Sequence, residues 1–93
     1  MTAISFILYV SSHTPNSIQA EANLKSMCLS NFPDNYHIEI IDVFRQPERA
    51  LADGIIVTPT LVKVGPGPKQ VIMGNLSNIP RVLSAVRWDG ANS

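Results

Sequence analysis

Residues 4–17, ISFILYVSSHTPNS, decide how the chain folds. The run from Ile4 to Val10 is almost wholly apolar, which is typical of a central strand covered on both faces. Thr14 then offers a helix N-cap, and Pro15 takes the first helical position, where a missing N–H costs nothing. This order predicts a buried strand that leads through a short loop into a helix.

The first half of the chain forms a βαβ unit. The helix is predicted to run from about Pro15 to Ser30, and a second strand from Tyr36 to Val43. At this spacing the two strands should be parallel, with a right-handed crossover. The second strand alternates apolar and polar residues, so it should lie nearer an edge of the sheet. The helix carries two apolar stripes, of which one should face the sheet: one comprises Ala20, Leu24, Met27 and Cys28, and the other Ile18, Ala22 and Leu29.

The second half contains shorter elements. Gln46 to Asp53 suits a short helix that Gly54 ends. Leu61 to Val64 and Gln70 to Met73 suit two strands of a hairpin, joined by a turn rich in glycine and proline. Ser77 is expected to cap a final helix with apolar residues at helical spacing. The order βαβαββα is the thioredoxin-like arrangement, an α/β fold, and we expect residues 1–93 to form a single domain.

Composition limits the classes of function. The chain has 93 residues, seven basic and seven acidic side chains and no basic cluster, so nucleic-acid binding is not expected. It has no apolar stretch of bilayer length and no secretory signal pattern, and its single cysteine cannot form an internal disulfide. We therefore expect a cytoplasmic protein that does not bind membranes. Only 15% of residues are charged, which points to a surface partly covered by another chain.

The thioredoxin-like order invites a search for redox chemistry. A thioredoxin-like oxidoreductase needs a thiolate at the start of its first helix, but residues 11–17 hold hydroxyls and an imidazole and no sulfur. Cys28 lies deeper in the helix and is interpreted as a small buried hydrophobe, although a redox enzyme or sensor using Cys28 remains the alternative function. Pro59, between two threonines, stands where such folds carry a cis-proline and is our candidate for one.

Other catalytic sites are not predicted either. His13 and His37 are the only histidines and fall on different elements, so no metal site is expected. Ser11 and Ser12 next to His13 lack a placed carboxylate, which argues against a catalytic triad. The turn Gly65-Pro66-Gly67-Pro68 lacks the N–H groups that would hold a phosphate. The sequence thus predicts a non-catalytic protein without a cofactor.

Five short segments along the chain form a recognisable set. They are Leu8-Tyr9-Val10, Thr14-Pro15-Asn16-Ser17, Ile41-Asp42-Val43, Thr58-Pro59-Thr60-Leu61 with Lys63, and Gly74-Asn75-Leu76-Ser77. Together they resemble the KaiB family of circadian-clock proteins. The similarity runs from about Phe6 to Leu83, and Thr-Pro-Asn-Ser with Thr-Pro-Thr-Leu at this separation is its most specific part.

The resemblance implies a regulatory binding module. KaiB proteins bind the ATPase ring of KaiC and then sequester KaiA, and a related domain serves as the sensory domain of the kinase SasA. The family also implies fold switching, between the thioredoxin-like monomer and a ground-state fold of order βαββααβ that shares the first βαβ and forms oligomers, as dimers or tetramers. A KaiC-like ATPase and a KaiA-like or SasA-like protein are thus the expected partners, in a clock or in a related stress pathway. A self-associating structural subunit is a third hypothesis.

The resemblance also indicates which residues contact partners. Asp42 and the exposed side of the second strand are candidates for strand addition to a KaiA-like protein. The expected contacts with the ATPase are Arg45, Pro47, Glu48, Arg49 and Lys63, the last of which follows Thr-Pro-Thr-Leu as the family's lysine does. Two departures from the family pattern are Asn75, which replaces an acidic residue, and the turn Gly65-Pro66-Gly67-Pro68.

Overall fold

The computed structural model describes residues 3–87, which contain four strands and three helices. Their order, βαβαββα, is the predicted one. Of the two folds that the family resemblance implies, the structure therefore shows the thioredoxin-like one. The elements are β1 (Ile4–Val10), α1 (Pro15–Asn31), β2 (Tyr36–Asp42), α2 (Pro47–Ala52), β3 (Thr60–Gly65), β4 (Gln70–Met73) and α3 (Ile79–Val86).

The four strands form one sheet in the order β2-β1-β3-β4. The central strand β1 is parallel to β2, with Ile4 opposite Tyr36, and antiparallel to β3, with Leu8 opposite Leu61. Because apolar clusters cover both faces of the sheet, the side chains of β1 are buried on either side, which explains why its sequence is apolar on both faces. The expected position of β2 near an edge is confirmed.

The sheet separates two apolar clusters. The larger cluster lies under α1 and α3 and the smaller one under α2, because alternate residues of a strand point to opposite faces. The buried members of the larger cluster are Ile4, Phe6, Leu8, Val10, Ala20, Leu24, Met27, Cys28, Leu61, Leu76, Val82 and Val86. Those of the smaller cluster are Tyr9, Ile41, Ala50 and Val62.

The structure decides which stripe of α1 faces the sheet. Ala20, Leu24, Met27 and Cys28 are all buried, whereas Ile18 is 57% exposed and Leu29 is 66% exposed. Burying the first stripe removes a leucine and a methionine from water, which stabilises the fold by about 25 cal/mol per Å² of apolar area. The second stripe contributes nothing comparable, and it leaves apolar side chains on the surface of α1.

The helix ends differ in detail from the predictions. Thr14 is the N-cap residue of α1, but its hydroxyl donates to the Ser11 carbonyl at 3.0 Å instead of capping a helical N–H. For α3 the prediction was wrong by one residue, since the cap is Asn78 and not Ser77. The Asn78 side-chain oxygen accepts a hydrogen bond from the Arg81 N–H at 3.2 Å, which satisfies a backbone donor at the helix start.

Within residues 3–87 no helix has both the length and the apolar character that crossing a bilayer requires.

Candidate partner-binding surface

Two loops meet at the position where a thioredoxin-like fold carries its redox site. The loop after β1 and the loop before β3 are joined by a hydrogen bond between the hydroxyls of Ser11 and Thr58. The Ser11 N–H also donates to the Ser17 hydroxyl oxygen at 3.1 Å. The Thr58–Pro59 peptide bond is cis, and Pro59 is buried. This position therefore holds hydroxyls bonded to one another, where disulfide chemistry would require thiols.

The only cysteine is far from a reactive state. Cys28 is fully buried in the cluster under α1, and this burial raises the pKa of its thiol to about 11. At neutral pH the side chain is therefore a thiol, and the thiolate that attacks disulfides or peroxides is scarce. The geometry favours the interpretation of Cys28 as a core residue over the redox alternative.

The end of β2 and the turn after it hold Asp42 and Arg45. The Asp42 carboxylate accepts a hydrogen bond from the Phe44 N–H at 2.9 Å, and the Asp42 carbonyl accepts one from the Arg45 N–H at 3.0 Å. Both side chains line a groove of about 450 Å³ between this turn and the first turns of α1, where His13 and Glu21 also lie. The groove brings together two of the predicted contact residues.

Pro47, Glu48 and Arg49 form the start of α2. Pro47 is the first residue of the helix, and both it and Glu48 are exposed. The Arg49 guanidinium donates two hydrogen bonds to the Glu39 carboxylate, at 3.0 and 3.1 Å. These bonds hold the pKa of Glu39 below its usual range and raise the pKa of Arg49. Because both side chains are about 40% exposed, the pair adds little stability, but it fixes Arg49 against β2.

The structure places Lys63 apart from the other predicted contact residues. Lys63 is opposite Phe6 in the β1–β3 register and two residues after Leu61, so its side chain lies on the face that α1 and α3 cover. It is only 1% exposed, and burial lowers the pKa of its ammonium group. Among residues 3–87 no carboxylate lies within ion-pair distance of it. The prediction for Lys63 thus concerns a different surface from that of α2.

Exposed apolar side chains around α2 complete the candidate surface, and sequence reasoning missed them. Phe44 is 78% exposed, Leu51 80% and Ile56 92%. All three fall between residues 44 and 56, the segment that precedes, forms and follows α2. Large apolar side chains this exposed, next to charged Arg45 and Glu48, are typical of a protein-binding site. We call Asp42 to Ile56 the α2 surface.

A hydrogen-bond network fixes α2 on the sheet. The Tyr9 hydroxyl, which extends from the central strand β1, donates to Asp53 Oδ2 at 2.5 Å and lies 3.2 Å from the Arg49 carbonyl. Lys69, from the β3–β4 turn, binds the other carboxylate oxygen of Asp53 at 3.2 Å. Burial, together with the Asp53 carboxylate, raises the pKa of Tyr9 to about 12, while the hydrogen bond from Tyr9 lowers the pKa of Asp53. The network ties α2 to β1 and to the hairpin turn.

Tyr9→Phe is expected to lower the free energy of unfolding at pH 7 by about 1.5–3 kcal/mol, the usual loss for a hydrogen bond to a charged partner. The effect should depend on pH. The folded-state pKa of Tyr9 is about 12 and the unfolded one is about 10, so its contribution is complete below pH 10 and is lost as the pH rises toward 12. Urea unfolding from pH 7 to 11 measures both effects.

The matched control for this experiment is Tyr36→Phe, which keeps Tyr9 and should keep the alkaline loss of stability. Lysines titrate in the same pH range in both proteins, so their contribution cancels when the free energy of unfolding of Tyr9→Phe is subtracted from that of wild type at each pH. Parallel pH profiles for wild type and Tyr9→Phe would contradict the network.

No group of three or more His, Cys, Asp or Glu side chains among residues 3–87 is arranged to hold a metal ion.

Comparison with known proteins places the chain. A family model described as the KaiB domain matches residues 7–88. A circadian clock protein named KaiB3, from Synechocystis sp., is 45% identical over 83 residues, which are 89% of this chain and 81% of that protein. Among solved structures, the N-terminal domain of SasA from Synechococcus elongatus superposes with a TM-score of 0.75 at 25% identity, covering 90% of this chain and 80% of that one.

Thioredoxins share the fold. Mitochondrial thioredoxin 3 of Saccharomyces cerevisiae superposes with a TM-score of 0.73 at 15% identity, covering 92% of this chain and 78% of that one. The fold together with the hydroxyl pair at Ser11 and Thr58 defines a thioredoxin-fold protein that lacks the redox thiols. Within that class the identity is settled by the domain match and the relatives: the chain belongs to the KaiB family.

Proposed function

We propose that the chain is a non-catalytic regulator in a circadian or related timing pathway, and that it acts by binding a KaiC-like ATPase through the α2 surface. The observation that carries this proposal is the exposed apolar set Phe44, Leu51 and Ile56 in a chain of the KaiB family. These side chains cost free energy in water and gain it when a partner covers them, at about 25 cal/mol per Å² of apolar area.

The charges of the α2 surface set its specificity. Arg45 and Glu48 are exposed and free to meet charges of a partner, whereas Arg49 is already held by Glu39. Exposed charges at the rim of an apolar patch chiefly steer association and suppress wrong partners. The ATPase site is therefore an apolar centre with a charged rim, with Arg45, Pro47 and Glu48 as its direct polar and proline contacts.

The β2 edge of the sheet offers a binding site for a second partner. β2 lies at one edge of the sheet, and Asp42 ends it. A KaiA-like or SasA-like protein would add a strand there, with backbone hydrogen bonds supplying affinity. Lys63, under α1 and α3, belongs to neither surface in this fold, so its predicted role in binding depends on the second fold of the family or on the oligomer that accompanies it.

The redox alternative is less favoured. It needs a thiolate, and the pKa of Cys28 is raised to about 11 by burial within the core. The similar family members are named as circadian clock proteins, whereas the similarity to thioredoxins is one of fold alone.

The test is co-elution of the purified chain with KaiC homologues in the presence of ATP, by size-exclusion chromatography. We expect the chain to move to the volume of the ATPase hexamer, and a Cys28→Ser variant to do the same. If the folded chain binds none of the homologues, the proposal fails. If instead the chain shows disulfide reductase or peroxide activity that Cys28→Ser abolishes, the redox alternative replaces it.

A further inference from the structure

The free edge of β4 and the helix α3 enclose a groove that has no role in the proposed function. The groove has a volume of about 490 Å³ and lies at the β4 edge of the sheet, whereas β2 forms the other edge. Its lining is mixed: Ile72 lies on one wall, Val82 and Ala85 of α3 lie on the other, and polar side chains of the β4–α3 loop lie between them. An edge strand beside a helix is a geometry that accepts an extended peptide as an additional strand.

The backbone of β4 is oriented to pair with an additional strand. The Gly74 N–H donates to the Pro59 carbonyl at 2.9 Å, and the register pairs Ile72 with Leu61 and Gln70 with Lys63. Because inward and outward groups alternate along an antiparallel strand, Ile72 bonds to β3 while the N–H and C=O groups of Val71 and Met73 point outward. In the described part of the chain no strand pairs with them.

The side chains of Val71 and Met73 are exposed as well. Val71 is 53% exposed and Met73 is 69% exposed, and both lie on the α2 face, beside Val62 and Thr60. A strand added to β4 would cover these side chains on one face and fill the groove under α3 on the other. Exposed apolar residues on an unpaired edge are a liability that proteins usually avoid, which favours a functional reason for them.

The charge of the groove indicates what kind of segment binds there. Arg81 is the one charged side chain among the described lining residues, and no carboxylate in residues 3–87 lies within ion-pair distance of it. A two-fold dimer would use the same patch on both copies, and it would offer Arg81 no carboxylate, because the described lining holds no Asp or Glu. The occupant must therefore bring its own carboxylate.

We propose that the groove between β4 and α3 binds an extended segment of another protein that carries apolar side chains and one acidic side chain. The backbone of the segment pairs with Val71 and Met73, and its carboxylate binds Arg81. This site is separate from the α2 surface and from the β2 edge, so it does not depend on the proposed ATPase partner.

The experiment uses two pools of synthetic octapeptides. In both pools the variable positions are drawn from Val, Ile, Thr and Ser, and a fixed central residue is Glu in one pool and Gln in the other. The wild-type chain is immobilised and the retained peptide is measured. We expect the Glu pool to be retained roughly tenfold better than the Gln pool, as suits a charge-assisted hydrogen bond.

Variants assign the effect to the groove. Arg81→Gln should abolish the preference for the Glu pool, and Arg81→Lys should keep a large part of it. Val71→Pro removes an outward N–H without removing a ladder bond, so it should lower retention of both pools. Should Val71→Pro fail to fold, amide shifts of Val71 and Met73 in the wild-type NMR spectrum on adding the Glu pool give the same answer.

Three results would overturn the proposal. The first is equal retention of the two pools or no retention of either. The second is retention that Arg81→Gln leaves unchanged, or amide shifts confined to other residues. The third is a dimer of the free chain in sedimentation that Val71→Pro abolishes, since a second copy would then be the occupant.

Discussion

Leu24→Ala is expected to lower the free energy of unfolding by about 3 kcal/mol, the middle of the range for leucines in a closed core. Leu24 is fully buried on the sheet-facing stripe of α1, within the larger cluster. The neighbours in that cluster lie on the sheet and on two helices, so the structure can collapse only partly around the missing methyl groups. In a domain whose total stability is about 5–15 kcal/mol, this is a large fraction.

Leu29→Ala is the matched control, because it makes the same change in the same helix at a residue that is 66% exposed. Its effect should stay within about 0.5 kcal/mol. Urea unfolding followed by circular dichroism measures both variants. Equal losses for the two variants would mean that α1 packs on the sheet through a different face.

The sequence predicts the first half of the fold well, for a physical reason. The strand β1 and the helix α1 have strong local signals, namely an almost unbroken apolar run and a proline at the first helical position. Both apolar stripes of α1 fit helical spacing, however, and only the contact of Leu24 with the sheet shows which stripe is buried. The choice between the stripes is made by tertiary packing.

The second half is less predictable. Ser77 and Asn78 are both good N-cap residues by type, and only the structure shows that Asn78 caps the helix. The apolar residues 55–57 suggest a strand by composition, but the chain is irregular there and Ile56 is 92% exposed. Weak local preference of this kind leaves the packing of these residues to tertiary contacts.

The sequence indicated the charged residues of the α2 surface but not its exposed apolar side chains. The family resemblance indicated Arg45, Pro47 and Glu48, and these are exposed on the α2 surface. Nothing in sequence spacing marks Phe44 or Leu51 as exposed, since an apolar residue beside a short helix is usually buried. The burial of Lys63 was equally hidden, because it follows from its register against β1.

Leu51→Lys is expected to weaken binding to a KaiC-like ATPase by roughly 100-fold or more. The change removes an exposed apolar side chain from the α2 surface and forces an ammonium group to lose water in the complex. The stability of the free chain should not fall, because Leu51 is 80% exposed and a cation suits the last turn of a helix.

Leu29→Lys is the control for this change. Leu29 also lies near the C-terminal end of its helix and is 66% exposed, but α1 packs on the opposite face of the sheet from α2. The two variants therefore have the same change of charge and volume at similarly exposed leucines, and they differ in the surface that they alter.

The affinity of these two variants for the ATPase hexamer, measured beside wild type by fluorescence anisotropy with ATP present, tests the central claim most directly. The claim predicts that Leu29→Lys binds within about threefold of wild type and that Leu51→Lys loses roughly 100-fold. Wild-type affinity in Leu51→Lys, or an equal loss in both variants, would contradict a binding site on the α2 surface.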